Sequence, residues 1–315
     1  MKKIRVGVIG AGAMGKHHAR IYSELPEAEL VGVMDVDEQT AAEIATKYNT
    51  EAFNDCERLL KTDLDAVSVA VPTTLHEDIA LKAANHGVHM LIEKPIAESF
   101  KSADAVIDAA RRKNVKLMIG HIERFNPAIL KLKELIYAGE LGQILSISCK
   151  RVGPYPPRIR DVGIIIDLAV HDIDTISYLY GKRAINVYSI AGNSFHIKED
   201  HATILLQYED KKSGMVETNW LTPYKMRKLT VTGTGGVASA DYLAQTLAIW
   251  NEAGLRKVDV KKSEPLKNEL ELFLHFIRND EEPSPSGEEG KYVLHVALSA
   301  IKSYENGESI LLNAS

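Results

Sequence analysis

The sequence predicts an α/β protein with a doubly wound parallel sheet up to Gly120 and an antiparallel or mixed sheet with helices after it. Three observations carry this reading. The chain has 315 residues, about twice the length of a typical domain at roughly 150 residues each. Before Gly120 short apolar runs alternate with amphipathic stretches, the pattern of βαβ units. After Gly120 successive strands are separated by turn signals, which argues for antiparallel neighbours.

Taken in order, strands are predicted at residues 4–9, 30–34, 66–71, 89–92 and 116–119. Helices are predicted between them at residues 13–25, 38–48, 75–86 and 99–113. The strands are apolar almost throughout, as strands covered on both faces should be, and their connections should be right-handed crossovers. In the second half a helix at 127–138 leads to a strand at 144–152, a loop rich in Pro and Arg at 153–163, and a helix at 166–180. Strands follow at 185–190, 202–208, 213–220, 228–232, 236–241 and 246–251, and helices at 264–278 and 287–304 close the chain. An acidic, Pro-containing connector (281–290) separates the last two. The predicted domains are residues 1–122 and 123–315.

Composition narrows the function classes. Hydrophobic residues make up 45% and charged residues 26%, with 21 Gly and 11 Pro, so a disordered or fibrous chain is excluded. A net charge of −5 is poorly suited to non-specific nucleic-acid binding, which rests on clustered Lys and Arg. Two distant cysteines, Cys56 and Cys149, argue for a reducing compartment and against a disulfide framework or zinc ribbon. No apolar stretch approaches the ~20 residues needed to span a bilayer. The opening Met1-Lys2-Lys3 and the apolar run Val6–Gly10 imitate a signal segment. That run is short and meets Lys16-His17-His18, so a first strand and a cytoplasmic location are expected.

Gly10-Ala11-Gly12-Ala13-Met14-Gly15 is a G-x-G-x-x-G between a predicted strand and a predicted helix. The first Gly permits the tight turn, the second lets backbone approach a pyrophosphate, and the third allows close helix–strand packing. The helix N-terminus then offers free N–H groups to the phosphates. Gly10, Gly12, Ala13, Met14 and Gly15 are therefore expected at a dinucleotide. Asp35 lies 20 residues beyond Gly15, where it can accept hydrogen bonds from the adenosine ribose. A 2′-phosphate would be repelled there and finds no adjacent Arg, so NAD is expected over NADP. Asp37 and Glu38 are open to a helix-capping reading.

Ligands of open α/β sheets bind outside the carboxyl ends of the strands. Thr73, Thr74 and His76 lie there, with helix-cap and exposed first-turn roles as structural alternatives. Glu93-Lys94-Pro95 lies there too, and the Pro restricts Lys94 to extended geometry or a cis bond. In the second half Asp167 and His171 stand at i and i+4 on one helix face. His is the natural proton acceptor near neutral pH, and the carboxylate can orient it or meet substrate. A capping Asp and a satisfied buried His are the structural alternative. A metal set of Asp167, His171, Asp172 and Asp174 would draw on several helix faces, so no metal is expected.

Together Gly10–Gly15, Pro72…His76, Glu93-Lys94-Pro95, Asp167…His171 and the ending Glu264-Pro265-Leu266…Glu271…Phe273 resemble the glucose–fructose oxidoreductase/inositol dehydrogenase/MocA family over nearly the whole chain. The resemblance implies an N-terminal Rossmann domain and a C-terminal α/β domain with a large, mostly antiparallel sheet whose open face makes oligomer contacts. It implies a homodimer or homotetramer and a cis Lys94–Pro95 bond. It also implies that Lys94 contacts the nicotinamide ribose and the substrate alcohol, that His171 is the general acid/base, and that Asp167 binds substrate or orients His171. One departure stands out: the family often has paired glycines before this Asp, whereas Val162-Gly163-Ile164-Ile165-Ile166 keeps one.

The loop Arg151–Arg160 carries Arg151, Tyr155, Arg158 and Arg160 among three prolines, a composition suited to an anion with a planar ring attached. Arg124 is expected to join them. Ion pairs in an oligomer interface are the alternative for these arginines. With residues 120–127, this loop resembles the nucleotide-sugar branch of the family, the UDP-N-acetylglucosamine 3-dehydrogenases. The expected function is NAD-dependent oxidation of a sugar secondary alcohol. The alternatives are a dehydrogenase of inositol or another uncharged polyol, and a non-catalytic dinucleotide-binding regulator. The run Thr232–Gly236 has no helix after it and reads as a hairpin turn. His17 and His18 read as surface or cofactor-adjacent residues.

Overall fold

The structure, a computed structural model, describes residues 2–156 and 162–312. The chain divides into two compact units: residues up to His121 with Leu266–Leu294, and Ile122–Pro265 with the stretch from His295 onward. The sequence reading ended the first domain at residue 122 and gave everything beyond to the second. The structure instead returns 266–294 to the first unit.

In the first unit six strands, β1 (Ile4–Ile9), β2 (Ala28–Met34), β3 (Glu51–Phe53), β4 (Ala66–Val69), β5 (His89–Glu93) and β6 (Leu117–Gly120), form one sheet in the order β3-β2-β1-β4-β5-β6. Every pairing in it is parallel. Val6, Val8, Ile9, Val67, Val69, Leu91 and Ile92 are fully buried, which is why these strands read as unbroken apolar runs. The helices are α1 (Gly15–Glu24), α2 (Glu38–Tyr48), α3 (Cys56–Leu60), α4 (His76–Asn85) and α5 (Phe100–Lys113). Asp37, Asp55 and Ser99 cap α2, α3 and α5 by accepting backbone N–H groups. The sequence reading missed β3 and α3, which are three and five residues long, too short to show a period. The outer edge of β6 is covered rather than open: Ile119 N–H donates to Pro285 O, and Met118 bridges Ser286.

In the second unit α6 (Pro127–Tyr137) precedes β7 (Ile144–Pro154), and α7 (Val170–Tyr180) follows a single π-helical turn at Ile165–Ala169. Then come β8 (Asn186–Gly192), β9 (His201–Gln207), β10 (Ser213–Asn219), β11 (Leu221–Gly233), β12 (Gly236–Asp241), β13 (Thr246–Asn251) and β14 (Gly254–Val258). After α8 (Pro265–Asn279) and α9 (Gly287–Asn306) a short β15 (Ile310–Leu311) completes a nine-stranded sheet in the order β14-β13-β12-β11-β7-β10-β9-β8-β15. All its pairings are antiparallel except β7 with β10.

Register sorts this sheet into two faces. The directly paired row Leu206, Gly214, Ile147, Val231, Ala238 and Ile249 is buried. The neighbouring row Leu205, Met215, Ser148, Thr230, Ser239 and Ala248 is half-buried or exposed, with Leu205 and Met215 among the exposed apolar side chains. Period-two alternation thus places the core on one face and leaves the other open. No helix of the described residues is long and apolar enough to cross a membrane.

Candidate active site

In the first unit the turn from β1 into α1 is shaped by its glycines. Gly10 has φ +92°, and a Cβ there would lie 2.6 Å from Ala70 O. A Cβ on Gly15 would lie 1.7 Å from Gly10 O, so the turn closes only with Gly at both positions. Gly12 differs, because a Cβ there would meet nothing within 4 Å. The absent side chain leaves open space beside the backbone, which is what a close-approaching pyrophosphate needs. Met14 occupies the N-cap of α1 without a side-chain cap, so no side chain of the helix entry competes for an anion. Ala11 N–H donates to Asp35 Oδ2 at 2.8 Å and Asp37 N–H to Asp35 Oδ1 at 3.0 Å. These bonds fix the carboxylate at the tip of β2 and leave a further lone pair on each oxygen for ribose hydroxyls. Asp37 and Glu38 take the structural alternative: Asp37 caps α2, and Glu38 Oε1 accepts Asn54 Nδ2. The loop, the helix end and the carboxylate fit a dinucleotide.

The other residues expected at the cofactor separate into two groups. Thr73 and Thr74 lie on a 3-10 turn (Thr73–Leu75) beyond β4, half-buried and exposed respectively. Lys94 is half-buried just past β5, and its bond to Pro95 is cis. His76 and Glu93 are buried instead. His76 Nδ1 lies 2.9 Å from Pro95 O and Nε2 lies 3.0 Å from Val71 O. Burial lowers its pKa, against the pull of the two carbonyls. Glu93 Oε1 pairs with His18 Nε2 at 2.9 Å. Burial pushes the Glu93 carboxyl up, but the His18 hydrogen bond and the charges of His18 and Lys94 outweigh it and hold the group below the usual carboxylate range. Both ring nitrogens of His76 thus face backbone carbonyls, of which the neutral ring donates to one, and the Glu93 carboxylate has a partner inside the first unit. His18, read from sequence as surface or cofactor-adjacent, is fully buried.

In the second unit the π turn carries Asp167, and His171 lies in the first turn of α7. Asp167 is buried and His171 half-buried. Residues four apart stay on one side of an α-helix, about 40° from each other, and π bulges recur at functional sites. Glu199 builds the entry to this turn. Its backbone O accepts Ile164 N–H at 2.9 Å and its Oε1 accepts Ile165 N–H at 3.2 Å. A Cβ on Gly163 would lie 2.0 Å from the Glu199 carboxylate. The single glycine kept before Asp167 thus makes room for the capping carboxylate. Burial pushes the Glu199 carboxyl up.

The arginines expected at substrate are placed differently. Arg151 is 2% exposed. Its Nε and Nη2 donate to Asp172 at 2.8 and 2.9 Å, and its Nη1 donates to Glu123 at 2.6 Å. Burial opposes the charged guanidinium, but Asp172 and Glu123 hold it well above its usual pKa. Arg124 Nε and Nη2 donate to Asp174 at 2.7 and 2.5 Å. Both arginines are ion-paired inside the unit with carboxylates of α7. Their planar forks are thus already filled within the unit, where the sequence had suggested a substrate anion or an interface ion pair. The missed signal was the acidic pair Asp172/Asp174 on the helix beside His171. Tyr155 is 39% exposed, with His196 at 5.3 Å and Trp220 at 5.4 Å between ring centroids. Arg158 and Arg160 lie outside the described residues.

Comparison with known proteins agrees with this geometry. Residues 4–121 match the model of an oxidoreductase family with an NAD-binding Rossmann fold, and residues 129–239 match the GFO/IDH/MocA C-terminal domain. A UDP-N-acetylglucosamine 3-dehydrogenase from Acidithiobacillus ferrooxidans is 33% identical over 308 residues, 95% of this chain and 96% of that protein. Its solved structure superposes with a TM-score of 0.91 over 97% of this chain and 99% of its own. A myo-inositol 2-dehydrogenase from Thermotoga maritima is 27% identical over 98% of each chain. The chain belongs to the GFO/IDH/MocA family of oxidoreductases and is an NAD-dependent dehydrogenase of sugar or polyol alcohols.

Proposed function

We propose that the chain oxidises the C3 hydroxyl of UDP-N-acetylglucosamine with NAD. The observation that carries this choice is the 33% identity to a UDP-N-acetylglucosamine 3-dehydrogenase over 95% of the chain, against 27% to an inositol dehydrogenase. NAD, when bound, supplies the hydride acceptor. His171 takes the hydroxyl proton on its imidazole as the C–H bond gives up its hydride and the C=O bond forms. Lys94 places its ammonium against the developing alkoxide. Asp167 orients substrate or His171. The Gly12 gap and the open N-terminus of α1 receive the pyrophosphate, Asp35 receives the adenosine ribose, and Thr73 and Thr74 line the cofactor edge. Tyr155 supports a planar base by its exposed ring edge, with Arg158 and Arg160 as phosphate partners.

The test is NADH formation with UDP-N-acetylglucosamine beside myo-inositol and free hexoses, each with NAD and NADP. Rapid oxidation of inositol with no turnover of the nucleotide sugar would establish the polyol reading, which the inositol-dehydrogenase relatives favour. A second copy of the chain is proposed on the open face of the nine-stranded sheet. Leu205→Glu with Met215→Glu should lower the mass measured by light scattering, and an unchanged mass would remove that face from the assembly.

A further inference from the structure

We infer that His18 and His76 are positioning residues for Lys94: they anchor the two residues that flank it in the chain. The inference rests on the reading of Lys94 as the group at the reacting hydroxyl.

Lys94 lies just past β5, a long flexible side chain on a short connection. Flexible groups must be held close to their productive geometry, and a displacement of about 1 Å can cost ~10²-fold in rate. Here the backbone on both sides is tied to separate helices. On the amino side Glu93 is gripped by His18 of α1 through Nε2 at 2.9 Å. The other ring nitrogen of His18 lies 3.0 Å from Ser68 Oγ of β4, which in turn lies 2.9 Å from Tyr22 OH. Gly120 packs against the same carboxylate, since a Cβ there would lie 3.2 Å from Glu93 Oε2. On the carboxyl side Pro95 offers its carbonyl to His76 Nδ1 at 2.9 Å, while His76 Nε2 faces Val71 O at 3.0 Å. The imidazole thus packs between the connection after β4 and the connection after β5, donating to one of the two carbonyls in its neutral form.

The chain Tyr22–Ser68–His18–Glu93 is continuous, yet it is no proton wire. Tyr22 is 1% exposed and burial drives its pKa upward, so the chain ends at a buried hydroxyl that holds its proton. A buried, satisfied network of this kind rigidifies what it touches. Both networks converge on the residues that flank Lys94.

The test is a double-mutant cycle. His76→Ala should lower kcat about 30-fold in the native background and less than about 3-fold in a Lys94→Met background, because a latch has nothing left to hold once the amine is gone. His76→Gln keeps one N–H for the bridge and should recover most of the loss. His18→Ala and His18→Gln should behave likewise. Equal fold-losses in both backgrounds, or native kcat in His76→Ala, would overturn the inference. Should an alanine variant fail to fold, His76→Leu and His18→Leu, which keep side-chain volume and lose both ring nitrogens, decide by the same comparison. A second readout needs no substrate: in protein with 13C-methylated lysines, the resonance missing from Lys94→Met should shift in His76→Leu and stay in place in His86→Leu. An unshifted resonance counts against the latch even if the reaction assignment holds, whereas full turnover by Lys94→Met removes the reaction assignment alone.

Discussion

Two glycines three residues apart, Gly12 and Gly15, give a sharp separation between binding and folding. A methyl on Gly12 meets no heavy atom within 4 Å, so Gly12→Ala should fold normally. Its stability should stay within about 1 kcal/mol of native, with a gain from the reduced freedom of the unfolded chain. The same methyl occupies the space through which a pyrophosphate approaches backbone, so NAD affinity should fall at least tenfold, about 1.4 kcal/mol. Gly15→Ala does the opposite kind of damage. Its Cβ would lie 1.7 Å from Gly10 O and 3.4 Å from Val8 Cγ1, and the backbone must move to relieve it. A loss of about 1–3 kcal/mol is expected, or several degrees in the melting temperature. The assay pairs a thermal melt with a fluorescence titration by NAD. Native NAD affinity in Gly12→Ala would refute the placement of the pyrophosphate, and an undiminished melting temperature in Gly15→Ala would refute the packing argument.

Lys94→Met and His171→Asn should each lower kcat at least ~10²-fold with NAD binding nearly unchanged, read by steady-state kinetics and titration. Arg151→Met strips the cation from Asp172 and Glu123 and should destabilise the protein by about 3–5 kcal/mol in urea unfolding. A higher KM with native stability would restore Arg151 as a substrate anchor. Lys133 is pushed down to about 8 by burial, with Arg124 adding to the effect. Its folded pKa lies below the ordinary lysine value of 10.5, so the unfolded chain binds more protons between those limits and stability contributed by this group rises with pH. The stability of the native protein relative to Lys133→Met should therefore climb between pH 8 and 10, measured by denaturant unfolding, and a flat difference would contradict the shift.

Much of this was legible in the sequence for identifiable reasons. The strand–glycine–helix opening, Asp35 and the alternation of elements up to Gly120 are local patterns, and local patterns survive without coordinates. The π turn was not legible, because Asp167 and His171 share a face in either helical geometry and the spacing looks the same. The fate of Arg124 and Arg151 was hidden for a different reason. Arginines near a Pro-rich loop read as a surface waiting for an anion, whereas the carboxylates of Arg124 and Arg151 sit on a helix 50 and 21 residues further along the chain, respectively. His76 and Glu93 lie at the edge of the sheet that the sequence indicates, and their interior partners were not legible. Strand ends point side chains alternately, and the choice between cofactor and interior depends on partners, His18 and the Pro95 carbonyl, that no short window contains.

Those misread residues share a location, and the location has a physical meaning. In the first unit the buried ionisable groups His18, His76 and Glu93 gather around the residues flanking Lys94. In the second, Arg124, Arg151, Asp172 and Asp174 tie down the helix that bears His171, and Glu199 caps the turn that bears Asp167. Buried ion pairs are poor sources of stability, since well-packed apolar replacements are often neutral or better by about 1–4 kcal/mol. Charge buried beside Lys94 in one unit and beside Asp167 and His171 in the other, the groups proposed to react, is therefore better explained by orientation than by cohesion. The consequence can be measured by replacing Arg124 and Asp174 together with Met and Leu. That pair should leave unfolding free energy close to native, because no charge is stranded, while kcat falls at least several-fold as α7 loses its directional tether. A native kcat in a stably folded double variant would show that packing alone holds His171 in place.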